Sequence, residues 1–262
     1  MDLGDILKSS KKIALSAGDY VLSNFGKVKS IEFKGERNLV TEVDKKSEEM
    51  IRSFLVKAYP DFDFIGEEFG GEASSEYYWL VDPIDGTNNF SHNFPVFCIS
   101  IALLKDKIPL LGVIYDPTRK ELFWATAKEG AYLNNKRILV SKIDKIKQAL
   151  VATGFYYDFK DQSDTNIEHF FNFIYHVQGI RRCGAAALDL AYVASGRLDG
   201  FWELGLNPWD TAAGILLVEE AGGRVTRRDG EKFNPFCSNI VVSNELLHEE
   251  MLRILSLKGR IG

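Results

Sequence analysis

The segment Thr211–Ala221 is apolar almost all round: Ala212, Ala213, Ile215, Leu216, Leu217 and Val218 leave no broad polar face. Gly222-Gly223 closes it, as glycine commonly does just past a helix end. A helix of this kind is buried between layers rather than laid on a surface. The chain must therefore place other elements on both sides of it. With 262 residues it can bury a large core, as one big domain or as two fused halves.

The rest of the chain supplies such elements. Leu3, Ile6, Leu7, Ile13, Ala14, Ala17, Val21 and Phe25 trace one helical stripe, which Gly26 can end. The stretch 27–38 is charged and poor in apolar anchors, and reads as a mobile loop or irregular hairpin. Thr41 then opens a second helix that Pro60 stops. Strand-like runs follow at 62–65, 79–82, 96–104, 110–115, 122–126 and 131–133, and Asn134-Asn135 turns the chain into 137–140. This first half reads as helices packed on an antiparallel sheet. The second half alternates strands (149–153, 200–202, 224–226, 239–242) with helices (167–175, 185–194, 211–221, 246–255), a rhythm of the α/β kind. No linker interrupts residues 1–262, so the expectation is one continuous body with halves at about 1–147 and 148–262.

Composition excludes several classes. A formal net charge of −5 gives no overall electrostatic case for nucleic-acid binding. Cys98, Cys183 and Cys237 are odd in number and far apart, which disfavours a disulfide framework or zinc ribbon and fits a reducing cytoplasm. No run approaches a membrane span, and the first residues lack a basic n-region and an apolar h-region. The four histidines, His92, His169, His176 and His248, have no metal-ligand spacing.

Chemistry concentrates in three acidic turns. The apolar run Trp79-Leu80-Val81 reads as a strand ending at Asp82. Pro83 forces a turn there, and Asp85-Gly86 adds a second turn signal. Thr87 can open a short helix whose first N–H groups are free to hold an anion. Two carboxylates beside such a cradle suit hydrolysis of a phosphate ester with hard divalent cations; an acidic Pro/Gly turn is the plain alternative. Gly66-Glu67-Glu68 follows a strand end, where a solvated surface pair is the commoner case. Asp210 lies at the start of the buried helix, where capping alone would account for it. Asp44, three residues after Thr41, fits an N-terminal capping box better than a site.

Taken together, these pieces resemble a known family. Gly66-Glu67-Glu68, Trp79 through Thr87, and Trp209-Asp210-Thr211-Ala212-Ala213-Gly214 ending in Glu219-Glu220-Ala221-Gly222-Gly223 are similar to the two signatures of the inositol monophosphatases. Order and spacing match from the first helix to about Ser243. The segment Arg181–Gly196 resembles the bacterial branch.

The resemblance implies a layered α-β-α-β-α sandwich and a Mg²⁺-dependent, lithium-sensitive phosphomonoesterase, commonly a homodimer, with two or three ions per site. It implies that Glu67, Asp82 and the Ile84 carbonyl bind one metal. Asp82, Asp85 and Asp210 would bind a second, and Glu67 a weaker third through water. Gly86 and Thr87 would cradle phosphate, while Asp44 and the Thr87 hydroxyl would orient the attacking water. Asp85, Gly184, Ala185, Ala186 and Glu203 would meet the alcohol. The implied substrate is myo-inositol monophosphate or a similar polyol phosphate. Fructose 1,6-bisphosphate and a nucleotide 3′-phosphate are alternatives on the same site, and an additional regulatory contact with transcription or RNA-processing machinery is a further one. Asn207 stands where animal relatives tend to have His, and Asn38 where many members have Asp. The charged stretch 27–38 is expected to act as a flap bringing Glu32 or Glu36 to the third metal.

Overall fold

In the computed structural model, residues 2–27, 31–33, 39–156 and 165–258 are described. The helices are α1 (Leu3–Asn24), α2 (Glu42–Ala58), α3 (Thr87–Ser91), α4 (Ile167–Ile174), α5 (Ala186–Ala194), α6 (Pro208–Glu220) and α7 (His248–Leu255). The strands are β1 (Ile31–Phe33), β2 (Leu39–Thr41), β3 (Asp63–Gly66), β4 (Tyr77–Asp85), β5 (Cys98–Lys105), β6 (Ile108–Asp116) and β7 (Glu121–Thr126). They continue with β8 (Gly130–Leu133), β9 (Lys136–Ile138), β10 (Leu150–Thr153), β11 (Gly179–Arg181), β12 (Gly200–Leu204), β13 (Arg224–Thr226) and β14 (Asn239–Ser243).

Two large sheets form, with the buried helix between them. Strands β3 to β9 make a seven-stranded sheet in sequence order, antiparallel except where β3 runs parallel to β4. The second sheet has the order β11-β10-β12-β14-β13; its first three strands are parallel and the last two antiparallel. Helices α1 and α2 cover the outer face of the first sheet. Helices α5 and α6 fill the space between the sheets, and α4 and α7 cover the far face of the second. That is the expected α-β-α-β-α layering. Among the described residues no helix is long and apolar enough to cross a membrane.

Close approach explains the small residues of the middle layer. A Cβ at Gly112 in β6 would stand 2.7 Å from the Ala213 carbonyl oxygen of α6, and one at Gly214 would stand 2.5 Å from Leu190 of α5. Thr211 through Val218 are all buried, as an apolar circumference requires.

Three boundaries differ from the sequence reading. Strand β4 does not end at Asp82: it runs to Asp85, and its pairing with β5 jumps from Asp82↔Ser100 to Asp85↔Cys98. Pro83 has no N–H to give the ladder, so the one extra residue on β4 is taken up as a bulge instead of ending the strand. Helix α6 starts at Pro208, so Asp210 is its third residue, not the residue before it. Residues 179–181, unassigned by pattern, form an edge strand on β10. The stretch expected as a flap holds a short hairpin of β1 and β2. There Glu32 pairs with Lys45 at 2.6 Å on the exposed surface, while Glu36 and Asn38 lie outside the described residues.

Candidate active site

The ends of β3, β4 and β12 and the starts of α3, α5 and α6 surround one cavity of about 130 Å³. Its walls include Glu67, Asp82, Ile84, Asp85, Gly86, Thr87, Gly184, Ala185, Ala186, Glu203 and Asp210. Residues drawn from three distant segments are thus brought to one place. Asp44 is not on the wall but touches it, because the Thr87 hydroxyl lies 2.8 Å from Asp44 Oδ1.

Local sequence sets each position. Gly86 has φ +100°, and a Cβ there would come within 2.8 Å of the Val96 carbonyl oxygen. Only glycine makes this turn without strain. It delivers Thr87 to the start of α3, where first-turn N–H groups lack intrahelical acceptors. Asp44 performs the capping job as well: its Oδ2 accepts from Thr41 N–H at 2.9 Å and from the Thr41 hydroxyl, closing a capping box on α2. One carboxylate therefore caps a helix and contacts the cavity's threonine.

Charge crowding is the dominant electrostatic fact. Burial pushes the Asp82 carboxyl well above its usual range, and Glu67, Asp85, Asp210 and Asp44 push it further. Asp210 is likewise raised well above the ordinary value by burial, then by Asp85 and Glu67. Asp85 is raised to about 6, chiefly by burial, against hydrogen bonds from the Ala187 and Ala186 N–H groups. Removing like charges from water at this density is costly unless a cation or protons compensate. Oxygen-only donors in such number suit a hard divalent cation.

The carboxylates are nonetheless turned onto protein donors. Asp82 Oδ1 accepts from Ile84 N–H at 3.0 Å, Asp85 Oδ2 from Ala187 N–H at 2.7 Å, and Asp210 Oδ2 from Asn207 N–H at 2.7 Å. As placed, no three acidic, histidine or cysteine side chains among the described residues close on one point. Each of these bonds occupies one carboxylate oxygen. In kind, as oxygen donors lining one cavity, the residues fit a divalent metal.

Pattern reading missed four contributors. Glu48, one turn beyond Asp44 and fully buried, accepts from the N–H groups of Glu68 (2.7 Å) and Phe69 (3.0 Å), fixing the loop that carries Glu67. A buried acid at i+4 from Asp44 on an otherwise apolar face was the available signal. Asp189 of α5 lines the cavity with Oδ1 unpartnered, and burial raises it to about 8. Arg182 is the cation of the wall, among the described residues. Asn89 bridges two distant turns. Glu203 lies so close over Gly154 that a Cβ there would stand 2.1 Å from its Oε1, and burial followed by Asp189 raises its carboxyl well above the usual range.

Comparison with known proteins places this arrangement. The chain is 42% identical to an inositol-1-monophosphatase of Synechocystis, over 97% of this chain and 90% of that protein. It is 41% identical to a fructose-1,6-bisphosphatase/inositol-1-monophosphatase of Aquifex aeolicus, over 97% and 96%. Its fold superposes on the inositol monophosphatase structure from Anabaena with a TM-score of 0.91, at 37% identity, over 100% of this chain and 99% of that one. The protein is a phosphoric monoester hydrolase of layered α+β architecture. Its sequence matches the inositol monophosphatase family over residues 2–259, and the chain belongs to that family.

Proposed function

We propose that the protein hydrolyses small polyol phosphate monoesters, foremost myo-inositol monophosphate, by attack of water on phosphorus with Mg²⁺ bound. The observation that carries this reading is the cavity itself. One end gathers Glu67, Asp82, Asp85 and Asp210 beside the start of α3, and the other presents Glu203 and the Gly184–Ala186 turn. Glu67, Asp82 and the Ile84 carbonyl would hold one ion, Asp82, Asp85 and Asp210 a second, and Glu67 a weaker third through water. When bound, Mg²⁺ supplies Lewis-acid chemistry, making water acidic enough to attack and neutralising charge on the departing alcohol.

The chain's own residues do the rest. Gly86 and Thr87 offer N–H groups to the phosphoryl oxygens. The Thr87 hydroxyl, 2.8 Å from Asp44 Oδ1 and 3.0 Å from the Ile84 carbonyl oxygen, directs its one proton inward. Its lone pairs are then left to accept from the attacking water and aim it. Glu203 accepts from, or once protonated donates to, hydroxyls of the alcohol. A sugar bisphosphate is the second reading, favoured by Arg182 on the cavity wall.

Phosphate release from inositol 1-phosphate, glycerol 2-phosphate and fructose 1,6-bisphosphate, with and without Mg²⁺, tests the reading. Metal-dependent release that is fastest on the inositol ester is expected. Asp85→Asn, which keeps shape and the Ala187 contact but removes a charge, should abolish turnover without unfolding the protein. Absence of metal-dependent release from all three esters would refute the proposal.

A further inference from the structure

Asn89 lies in α3, three residues after Gly86, and its side-chain amide reaches the turn before α5, whose Gly184 lines the cavity. Nδ2 donates to the Val96 carbonyl at 2.7 Å and to the Cys183 carbonyl at 2.8 Å, with the Gly184 carbonyl at 3.4 Å. An amide NH₂ carries two protons, so the first two acceptors are served fully and the third is a weaker contact. Cys183 is 94 positions away in sequence. The amide therefore pins the turn before α5 to α3 itself and to the segment before β5.

The two partners differ in how else they are held. Helix α3 is anchored by Phe90, fully buried and packed with Phe25 and Phe97 at centroid distances of 5.8 and 5.2 Å. Residues 182–185 are neither strand nor helix, and Gly184 sits at φ +82°. Among the described residues no backbone N–H reaches the Cys183 or Gly184 carbonyls. Loss of the amide would thus release the 183–184 carbonyls, while Phe90 keeps α3 in place and the Ala187 N–H bond to Asp85 keeps the start of α5.

We propose that Asn89 is the positioning residue that holds the alcohol end of the cavity at a set distance from its phosphate end. This rests on the phosphatase reading above. Gly184, Ala185 and Ala186 line the alcohol end, while Gly86 and Thr87 line the phosphate end. The amide fixes the span between them, so it governs which leaving alcohols are accepted rather than how phosphate is held. A misplaced contact far from the reacting bond can cost much of the rate for a substrate that depends on it.

The test uses the full chain with Mg²⁺ and the variants Asn89→Leu, Asn89→Ala and Asn89→Ser, the last keeping one donor. Near-ultraviolet circular dichroism checks that each is folded; if the leucine variant is not, the two smaller ones carry the measurement. The expected result is a fall of about tenfold or more in the kcat/KM ratio of inositol 1-phosphate to ethyl phosphate, least for Asn89→Ser. Inhibition by free myo-inositol should weaken by about tenfold, while the inhibition constant of inorganic phosphate stays within about threefold. A merely structural role would lower both esters by the same factor, and an unchanged ratio in all folded variants overturns the proposal. Failure of the phosphatase reading is separately visible, because the unmodified protein would then hydrolyse neither ester.

Discussion

The N-termini of α2 and α6 use the same local device and end in different chemistry. At each, the third helical residue is an aspartate whose carboxylate turns back to the N–H of the residue before the helix: Asp44 to Thr41 and Asp210 to Asn207. Asp44 is then enclosed by a further donor on each oxygen, the hydroxyls of Thr41 and Thr87. It is fully buried. Among the described residues Asp210 has no hydroxyl partner, and its own N–H goes to the Asn207 carbonyl oxygen at 3.2 Å. It faces the cavity beside Asp82 and Asp85. The comparison teaches that one capping device can leave an aspartate enclosed by hydroxyls, as at Asp44, or facing other acids across a cavity, as at Asp210. Under the proposed function the first would orient water and the second would hold a cation.

Exchanging charge for an amide at the two positions should separate these roles. Asp210→Asn keeps an oxygen for the Asn207 N–H and removes a charge from the acidic cluster. Turnover is expected to fall by about a thousandfold or more, in line with several kcal/mol of transition-state stabilisation per metal function. The loss should come with weaker stabilisation of the fold by Mg²⁺, read as a smaller rise in Tm. Activity within an order of magnitude of the unmodified protein would break the comparison.

Asp44→Asn should cost less, about a hundredfold in kcat, the lower range for a group that handles a proton or orients water. The stabilisation by Mg²⁺ should remain. If it disappears, Asp44 belongs with the ligands after all.

The crowded carboxylates also predict a pH dependence. Asp82 and Asp210 are raised well above their usual range and Asp85 to about 6, so the metal-free folded chain holds more protons than the unfolded one. Stability from these groups is therefore complete below the unfolded carboxylate values near ~4, and is lost as pH rises through about 6 and beyond. If Mg²⁺ takes the place of those protons, as the proposed function requires, its increment in Tm should be larger at about pH 7.5 than at about pH 5. Equal increments would show that the ion does not bind where the repulsion lies.

Caps alone should give the smallest effect. Thr41→Ala removes the hydroxyl that accepts from Val43 N–H at 3.1 Å and donates to Asp44, and should cost about 1 kcal/mol in denaturant unfolding. Asn207→Ala, where the backbone N–H and carbonyl of residue 207 themselves bond Asp210, should cost less, about 0.5 kcal/mol, the low end for a cap. A reversed order would mean the α6 end depends on Asn207 more than its geometry shows.

Much of this was legible because it is local. An apolar circumference forced the α6 layer, and the Asp-Pro-Ile-Asp-Gly-Thr run placed carboxylates beside a turn that only glycine can make. Even there, one position was misread and another only half read, for physical reasons. Pro83 bulges β4 because β5 continues to pair beyond it, a fact of the neighbouring strand. Asp44 reads as a cap because Thr41 is three residues away, and it is one; its further partner Thr87 is 43 away.

What the sequence determined alone is therefore the inventory: which segments are helices and strands, which helix is enclosed, and which turns carry acid. Tertiary structure decided the associations. Glu48 reached the Glu67 loop, Asn89 reached Cys183, and Asp85 reached the start of α5 across 102 positions. Hydrophobic periodicity is a property of neighbours along the chain and can be read directly. A hydrogen bond between segments a hundred residues apart exists only once two sheets have closed on the helices between them, and no spacing along the chain encodes it.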